Sequence, residues 1–210
     1  RGGHRHAGWR HPPRPIGSVT SVNAPYRAAT ERDVETIATT LTAAFHDDPV
    51  FRLLFGDTIP PDRAKRFFAL MATVQLRHDL VLQTPGGESA AIWTPPDAWK
   101  LPVADILRNG PKLAALFRHR MFGNLKLLNT LERHHPHEPH YYLEFLGTRP
   151  DQQGKGFGAA VVAPVLERAD DEGVGAYLES SKESNLSFYG RLGFEVTTVI
   201  HHRGNVPQWL

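Results

Sequence analysis

Two periodicities alternate along the chain after about residue 24. Apolar residues at positions 34, 37, 41 and 44 recur at helical spacing, and this spacing returns after Asp62, within 113–131 and within 156–171. Short runs rich in β-branched and aromatic residues separate these segments and predict strands. The predicted strands are residues 26–30, 79–84, 89–95, 141–148, 176–180, 194–200 and 206–210. This order indicates an α/β (α+β) fold, a mixed sheet with helices on its faces.

Several residues mark the ends of the predicted elements. Thr30 and Asp33 form a capping-box pattern, with Asp in place of the usual Glu, and predict the start of the first helix. Gly123 predicts a break between two helices in the middle of the chain. Pro164 removes one N–H from its helix and predicts a kink there. Asn185 is expected to cap a short helix near the C-terminus.

Positive charge is concentrated at the N-terminal end. The net charge is +2, but residues 1–25 carry four arginines and no acidic residue, so the remainder carries −2. This segment has no apolar core of its own, which is typical of disorder. We therefore expect a basic, disordered extension over residues 1–25 and one folded domain over 26–210, with no nucleic-acid partner.

Composition excludes further classes of protein. The chain has no cysteine, which excludes a disulfide framework, a thiolate zinc site and a cysteine nucleophile. No apolar run approaches the roughly 18 residues of a membrane span, and the N-terminal segment lacks the apolar region of a secretory signal. We expect a cytoplasmic monomer or homodimer with no membrane partner.

The stretch "QGKGFG" at 153–158 lies between a predicted strand and a predicted helix. Amides at a helix N-terminus have no partner within the helix, and glycines let the backbone approach a ligand, so this loop predicts an anion site. One interpretation uses Gln153, Gly156 and Gly158 as a pyrophosphate cradle for coenzyme A. Another uses Gly154, Gly156 and Ala159 as a dinucleotide fingerprint, with Glu179 as the ribose-binding acid.

The downstream stretch "NLSFYGRLGF" at 185–194 favours the first interpretation. Together with the glycine loop about 27 residues earlier, it resembles the GNAT superfamily of N-acetyltransferases. The lead-in "HHPHEP", "PDQQGKG", Pro164 and "YLES" are close to the puromycin N-acetyltransferase branch. The resemblance implies a single GNAT-like domain with a mixed, mostly antiparallel sheet of about six to seven strands. It also implies an enzyme that uses acetyl-CoA to acetylate a primary amine of a small molecule.

The resemblance also implies where acetyl-CoA binds. The pyrophosphate is expected on the backbone amides of the loop, and the pantetheine beside the end of strand 141–148. With Asn185 and Tyr189, the implied residues are Leu146, Gly147, Thr148, Gln153, Gly154, Lys155, Gly156, Phe157, Gly158 and Ala159.

Two residues are candidates for proton transfer. Tyr189 matches the tyrosine that points at the coenzyme sulfur in this family, and is expected to protonate the departing thiolate. The base is expected on strand 141–148, as Glu144 or Tyr142. Period-two alternation predicts Tyr142, Glu144, Leu146 and Thr148 on one face. Partial burial of Glu144 raises its pKa and suits a base. An acid paired with arginine, or one that binds a cationic substrate, is the alternative.

The acceptor amine is expected to contact variable parts of the chain. Candidate contacts are Phe45, Trp93, His140 and Tyr142. His134, His135, His137 and His140 crowd one segment, but two prolines interrupt them, so an exposed loop is expected rather than a metal site. Three alternatives stay open: a non-catalytic acyl-CoA sensor, a protein or peptide acetyltransferase, and a dinucleotide oxidoreductase.

Overall fold

A computed structural model describes residues 25–96, 98–100 and 103–210. Seven α-helices lie within these residues. In chain order they are α1 (Val34–Ala44), α2 (Pro49–Phe55), α3 (Pro61–Gln75), α4 (Val103–Phe117), α5 (Met121–His134), α6 (Phe157–Glu172) and α7 (Leu186–Arg191). Apart from Pro25, the predicted extension lies outside the described residues.

The strands form two sheets. They are β1 (Arg27–Ala28), β2 (Val81–Gln83), β3 (Ser89–Thr94), β4 (His140–Thr148), β5 (Gly175–Leu178), β6 (Val199–His202) and β7 (Val206–Trp209). β1 to β5 form a sheet in sequence order in which only the β4–β5 pair is parallel, and β6 and β7 form an antiparallel ribbon. Paired backbone groups of Ser180 and Trp209 join the ribbon to the end of β5. The predicted fold class is confirmed, with the seven strands divided between two sheets.

Local sequence signals set most helix ends. The capping box is present, and the Asp33 carboxylate accepts hydrogen bonds from the backbone N–H and the hydroxyl of Thr30, at 2.8 and 2.9 Å. α6 continues through Pro164 and ends at Gly173, whose φ of +67° suits glycine. The predicted break at Gly123 is wrong, because Gly123 lies within α5. The break falls at residues 118–120, where Arg118 adopts a φ of +53°.

Helix α2 was missing from the sequence prediction, although its N-terminus carries a clear signal. Asp48 occupies the N-cap and accepts a hydrogen bond from the Phe51 N–H at 2.9 Å. Pro49 occupies the first helical position, where its missing N–H costs nothing. The helix buries Val50, Phe51 and Leu54. Its seven residues are too few to show a period, so the capping residues were the only local indication.

Helices cover both faces of the five-stranded sheet. On one face, α1, α2 and α3 pack an aromatic cluster against it, with neighbouring ring centroids 4.8–6.3 Å apart. This cluster comprises Phe45, Phe51, Phe67, Phe68 and Phe145. On the other face, α6 packs Val161, Val162 and Val165 against the sheet. Both faces of the central strands are therefore buried.

A β-bulge in β4 changes which residues share a face. Ile92 and Trp93 of β3 pair with Phe145 and Leu143, so Glu144 is the extra residue of β4. Leu143 packs on the α6 side and Phe145 on the α1–α3 side, while Leu146 returns to the α6 side. The prediction that residues 142, 144, 146 and 148 share one face is therefore wrong, since the bulge shifts the alternation by one residue.

None of the helices in residues 25–96, 98–100 and 103–210 has both the length and the apolar character needed to cross a membrane.

We predict that Gly147→Ala destabilises the fold, because the added Cβ would lie 2.7 Å from the Ala44 Cβ and 2.9 Å from the Leu41 Cδ2. Overpacking of this kind costs about 1–3 kcal/mol, measured as the free energy of unfolding in urea. Gly123→Ala is the matched control, because nothing lies within 4 Å of its added Cβ. Alanine in a helix should raise stability there by up to about 1 kcal/mol. Equal stability of the two variants would contradict the close packing of β4 on α1.

Candidate functional site

A cavity of about 900 Å³ opens where β4 and β5 part. Their last paired residues are Leu143 and Leu178, and Glu144 and Glu179 follow directly on the two strands. Both acids line the cavity. One end of the cavity, the loop end, is lined by the glycine loop (residues 153–159). The other, the apolar end, is lined by α2, α5 and Tyr142.

Backbone amides dominate the loop end. Gly154 and Gly156 have φ of +76° and +87°, and Gly156 occupies the N-cap position of α6. The Ala160 N–H is the first to bond within the helix, to the Gly156 carbonyl at 3.0 Å. The three amides before it have no intrahelical acceptor, and the helix dipole favours an anion beside them.

The structure brings most of the predicted coenzyme residues together. Eleven of the twelve line the cavity: Leu146, Gly147, Thr148, Gln153, Gly154, Gly156, Phe157, Gly158, Ala159, Asn185 and Tyr189. Lys155 does not line it. Its ammonium group donates to the Asp151 carbonyl and to the side-chain oxygen of Gln152, at 3.2 and 2.9 Å. The predicted contact of Lys155 with phosphate therefore lacks structural support.

Glu144 lies half-buried in the wall of the cavity, at the bulge. The Thr94 hydroxyl and the Gln75 amide both donate to its Oε1. Burial raises its pKa to about 7, although both donors act in the opposite direction. Within the described residues it forms no ion pair, since the nearby Arg77 binds Asp105. Such a carboxylate can accept a proton near neutral pH.

Tyr189 lines the cavity from α7. Its ring packs against Phe188 and Phe194, with centroids 5.2 and 6.0 Å away. Its hydroxyl makes no hydrogen bond to the described residues. Burial, followed by the negative charge of Asp48, raises its pKa well above the ordinary value. The hydroxyl therefore keeps its proton at neutral pH. Asn185 occupies the N-cap position of α7 without a side-chain capping bond.

The candidate acceptor contacts separate into two groups. Phe45 and Tyr142 line the cavity. Trp93 does not, because it is fully buried on the α6 side of the sheet. His140 is also buried outside the cavity, and its Nε2 lies 2.9 Å from the Nε2 of His135. The predictions of substrate contact by Trp93 and His140 are wrong.

The prediction that the four clustered histidines lie in an exposed loop is also wrong for two of them. His135 is 5% exposed and stacks on Trp99 at a centroid distance of 3.9 Å, and His140 is 2% exposed. Both rings also contact Tyr177 of β5, and neither this residue nor Trp99 can be inferred from the spacing of the histidines. No group of three or more potential metal ligands lies together in the part of the chain that the structure describes.

Sequence reasoning missed two acids that line the cavity. Glu179 is 6% exposed and accepts a hydrogen bond from the Tyr142 hydroxyl at 2.6 Å. Asp48 is 3% exposed at the N-terminus of α2. Glu179 is a charged residue directly after an apolar strand, and this position was the available signal for it. Sequence reasoning considered Glu179 only as a ribose ligand.

Comparisons with known proteins agree with this geometry. The sequence profile described as "Acetyltransferase (GNAT) family" matches residues 91–194. An uncharacterized N-acetyltransferase of Schizosaccharomyces pombe is 30% identical over 181 residues, which cover 78% of this chain and 71% of that protein.

Two crystal structures share the fold. "Histone acetyltransferase HPA2 and related acetyltransferase" from Corynebacterium glutamicum is 25% identical, with a TM-score of 0.64 over 89% of this chain and 93% of that one. Arylalkylamine N-acetyltransferase 2 from Aedes aegypti is 14% identical, with a TM-score of 0.61 over 85% of this chain and 86% of that one.

The fold and the cavity are thus those of an acyl-transferring enzyme. The chain belongs to the GNAT acetyltransferase family, whose acetyl donor is acetyl-CoA. This membership confirms the enzyme class and sets aside the dinucleotide interpretation of the loop.

We predict that Glu144→Gln changes how stability depends on pH. The pKa of Glu144 is raised from 4.5 to about 7 in the fold. Between these values the folded protein keeps a proton that the unfolded chain has lost, so the free energy of unfolding falls as pH rises. Glutamine cannot ionise, so the variant escapes this loss. Its free energy of unfolding should therefore rise relative to that of wild type between pH 5 and pH 8. The gain is at most about 3 kcal/mol, because the side chain is only half-buried.

Urea unfolding at the two pH values measures this gain. Glu172→Gln is the control, since Tyr141 and Arg168 lower the pKa of that carboxyl. Its difference from wild type should stay constant between pH 5 and pH 8. A constant difference for Glu144→Gln as well would show that Glu144 titrates normally.

Proposed function

We propose that this enzyme transfers the acetyl group of acetyl-CoA to a primary amine of a small molecule, by direct attack of the amine on the thioester. One observation carries the proposal: the glycine loop, Glu144 of β4 and Tyr189 of α7 all line one cavity. An anion site, a proton acceptor and a proton donor are the groups that this reaction needs.

The loop end suits the pyrophosphate of coenzyme A. A Cβ on Gly158 would lie 3.3 Å from the Thr148 Oγ1 and 3.5 Å from the Phe188 Cζ, so the backbone here packs closely against both side chains. Beyond Leu143, β4 stays paired with β3 but has no β5 partner on its other edge, and this edge would receive the pantetheine amides. The acetyl thioester would then lie between Glu144 and Tyr189.

Proton transfers would accompany the attack in a fixed order. Glu144 accepts a proton from the substrate ammonium group, directly or through water, and frees the nitrogen lone pair. The nitrogen attacks the thioester carbon, and a backbone amide near Leu146 stabilises the oxyanion. The C–S bond then breaks, and the Tyr189 hydroxyl donates its proton to the thiolate. After attack the nitrogen carries a positive charge and loses its second proton, through water, to the tyrosinate, which restores the hydroxyl and leaves the neutral amide. Glu144 releases the first proton to solvent.

The apolar end favours a compact, positively charged acceptor. Apolar side chains line it, and Glu144 and Glu179 supply carboxylates at its floor. The apolar lining includes Phe45, Phe51, Leu54, Phe67, Leu127 and Leu131. An amine on an apolar or aromatic body matches this combination. Resemblance to the puromycin N-acetyltransferase branch supports an aminonucleoside-like acceptor within that class.

A panel of amines tests the proposal, with free thiol release from acetyl-CoA as the readout. It should contain puromycin, an arylalkylamine, an aliphatic diamine and a lysine peptide. We expect turnover with at least one small amine and weaker turnover with the peptide. Preference for the peptide would instead support a protein acetyltransferase. The name of the Corynebacterium glutamicum structure, a histone acetyltransferase and related acetyltransferase, is the reason to include this alternative. Tight coenzyme A binding without any turnover would support the sensor alternative.

We predict that Gly156→Val weakens coenzyme A binding by at least about tenfold, or roughly 1.4 kcal/mol. A branched side chain resists the φ of +87° and occupies the space beside the helix amides. Titration calorimetry measures the Kd.

Gly173→Val is the matched control for backbone strain. It lies at the other end of α6 with a φ of +67°, and nothing lies within 4 Å of its added Cβ. It should lose stability but keep its affinity for coenzyme A. An unchanged Kd in Gly156→Val would remove this residue from the anion site.

We predict that Tyr189→Phe lowers kcat by about 10²–10⁴-fold, the range typical of general acid catalysis. Affinity for coenzyme A should stay the same, because the hydroxyl acts in the transition state. Tyr141→Phe also deletes a buried hydroxyl, one that donates to Glu172 at 2.6 Å outside the cavity, and should keep its kcat. A wild-type kcat in Tyr189→Phe, with chemistry shown to be rate-limiting, would refute the assignment.

A further inference from the structure

Tyr189 needs an explanation of what holds it in place. Its hydroxyl makes no hydrogen bond to the described residues, and α7 is only six residues long. Besides the rings of Phe188 and Phe194, the position of Tyr189 depends on the segment at 179–185, which leads from β5 into α7. We call this segment the β5–α7 loop.

Side-chain contacts tie the β5–α7 loop to the N-terminus of α2. Ser181 donates from its hydroxyl to the Asp48 Oδ2. The Asp48 Oδ1 accepts from the Phe51 N–H at 2.9 Å, so one carboxylate bonds the loop and caps the helix together. Lys182 also binds Asp47, but both of these side chains are exposed to solvent, at 28% and 46%.

The Asp48–Ser181 bond lies within the cavity. Asp48, Ser181, Asn185 and Tyr189 all line it. Asp48 is 3% exposed and forms no ion pair within the described residues, so its two hydrogen bonds are its compensation for burial. Burial raises its pKa, while both hydrogen bonds oppose this shift. A buried, charge-assisted bond fixes geometry better than the exposed pair beside it.

From this geometry we propose that Asp48 is a positioning residue for acetyl transfer: through Ser181 it holds the β5–α7 loop on the α2 N-terminus and so fixes Tyr189 toward the reacting thioester. The inference rests on the proposed function for the role of Tyr189. It adds a link between α2, which lines the acceptor pocket, and α7, which carries the proton donor.

Four variants separate this role from general stability. Ser181→Ala and Asp48→Ala remove the bond, and kcat should fall by about ten- to a hundredfold, as small displacements of catalytic groups do. Asp48→Asn keeps both bonds, since its oxygen accepts from the Phe51 N–H and its amide donates to the Ser181 hydroxyl, and it should restore most of kcat. A double variant that combines Asp48→Ala with Ser181→Ala should have a kcat no lower than that of Asp48→Ala alone, because both changes remove the same hydrogen bond.

Asp47→Asn is the control, since it removes only the charge from the solvent-facing contacts of Asp47 with Lys182 and His46, and its kcat should match wild type. The Kd for coenzyme A should stay within about twofold in all these variants, because the glycine loop binds it separately. A wild-type kcat in Ser181→Ala would overturn the proposal. So would multiplicative losses in the double variant, or an Asp48→Asn variant as slow as Asp48→Ala.

Hydrogen exchange tests the same contact without any activity. Amides of the β5–α7 loop and α7 should exchange faster in Ser181→Ala than in wild type, and at the wild-type rate in Asp47→Asn. If exchange changes as expected but wild type acetylates no amine, the contact stands and the proposed function fails. If exchange is unchanged in Ser181→Ala, the positioning role fails even in an active enzyme.

Discussion

The parting of β4 from β5 after Leu143 and Leu178 is the constraint on which the site depends. Parallel strands that stayed paired would close the cavity and bury Glu144 and Glu179 against each other. Because they part, the edge of β4 that faces β5 has no strand partner beyond Leu143 and becomes available to a ligand. The bulge at Glu144 lies at this point, and it turns the carboxylate toward Thr94 and Gln75. One interruption of a ladder thus creates the space, the free backbone groups and the placement of the acid.

The two ends of the cavity attract opposite charges by different means. At the loop end, partial positive charge comes from helix amides, with Lys155 directed elsewhere. At the apolar end, negative charge comes from carboxylates in a largely apolar lining. In the proposed reaction, the polyanionic acetyl-CoA would therefore bind from the loop end and the cationic amine from the apolar end. The charges would allow only one orientation of each substrate. The reacting atoms would meet between them, where Glu144 and Tyr189 lie, and where the low polarity strengthens each electrostatic interaction.

Short-range signals made part of this structure predictable. The glycine loop, Asn185 and Tyr189 depend on contiguous motifs, and those signals named them correctly as cavity residues. The face of Leu146, the burial of His135 and the location of Trp93 depend on sheet packing and on a one-residue bulge, which no local pattern shows. Asp48 and Ser181 are 133 positions apart in the chain, so their contact appears only once α2 and the β5–α7 loop are placed. Sequence therefore identified residues that line the loop end, whereas it missed Asp48 and Glu179, and the role of the loop in binding coenzyme A stays a prediction.

The walls of the apolar end differ in how freely they can change. Phe51 and Phe67 line the cavity and also belong to the buried aromatic cluster, so replacing them would disturb the core. Leu128 of α5 lines the same cavity yet is 53% exposed, and its replacement would leave the core intact. Its neighbour Leu127 also lines the cavity but is 8% exposed and belongs to the core. If the cavity binds the acceptor as proposed, a change at Leu128 would therefore reshape the acceptor pocket with less loss of stability than a change in the aromatic wall.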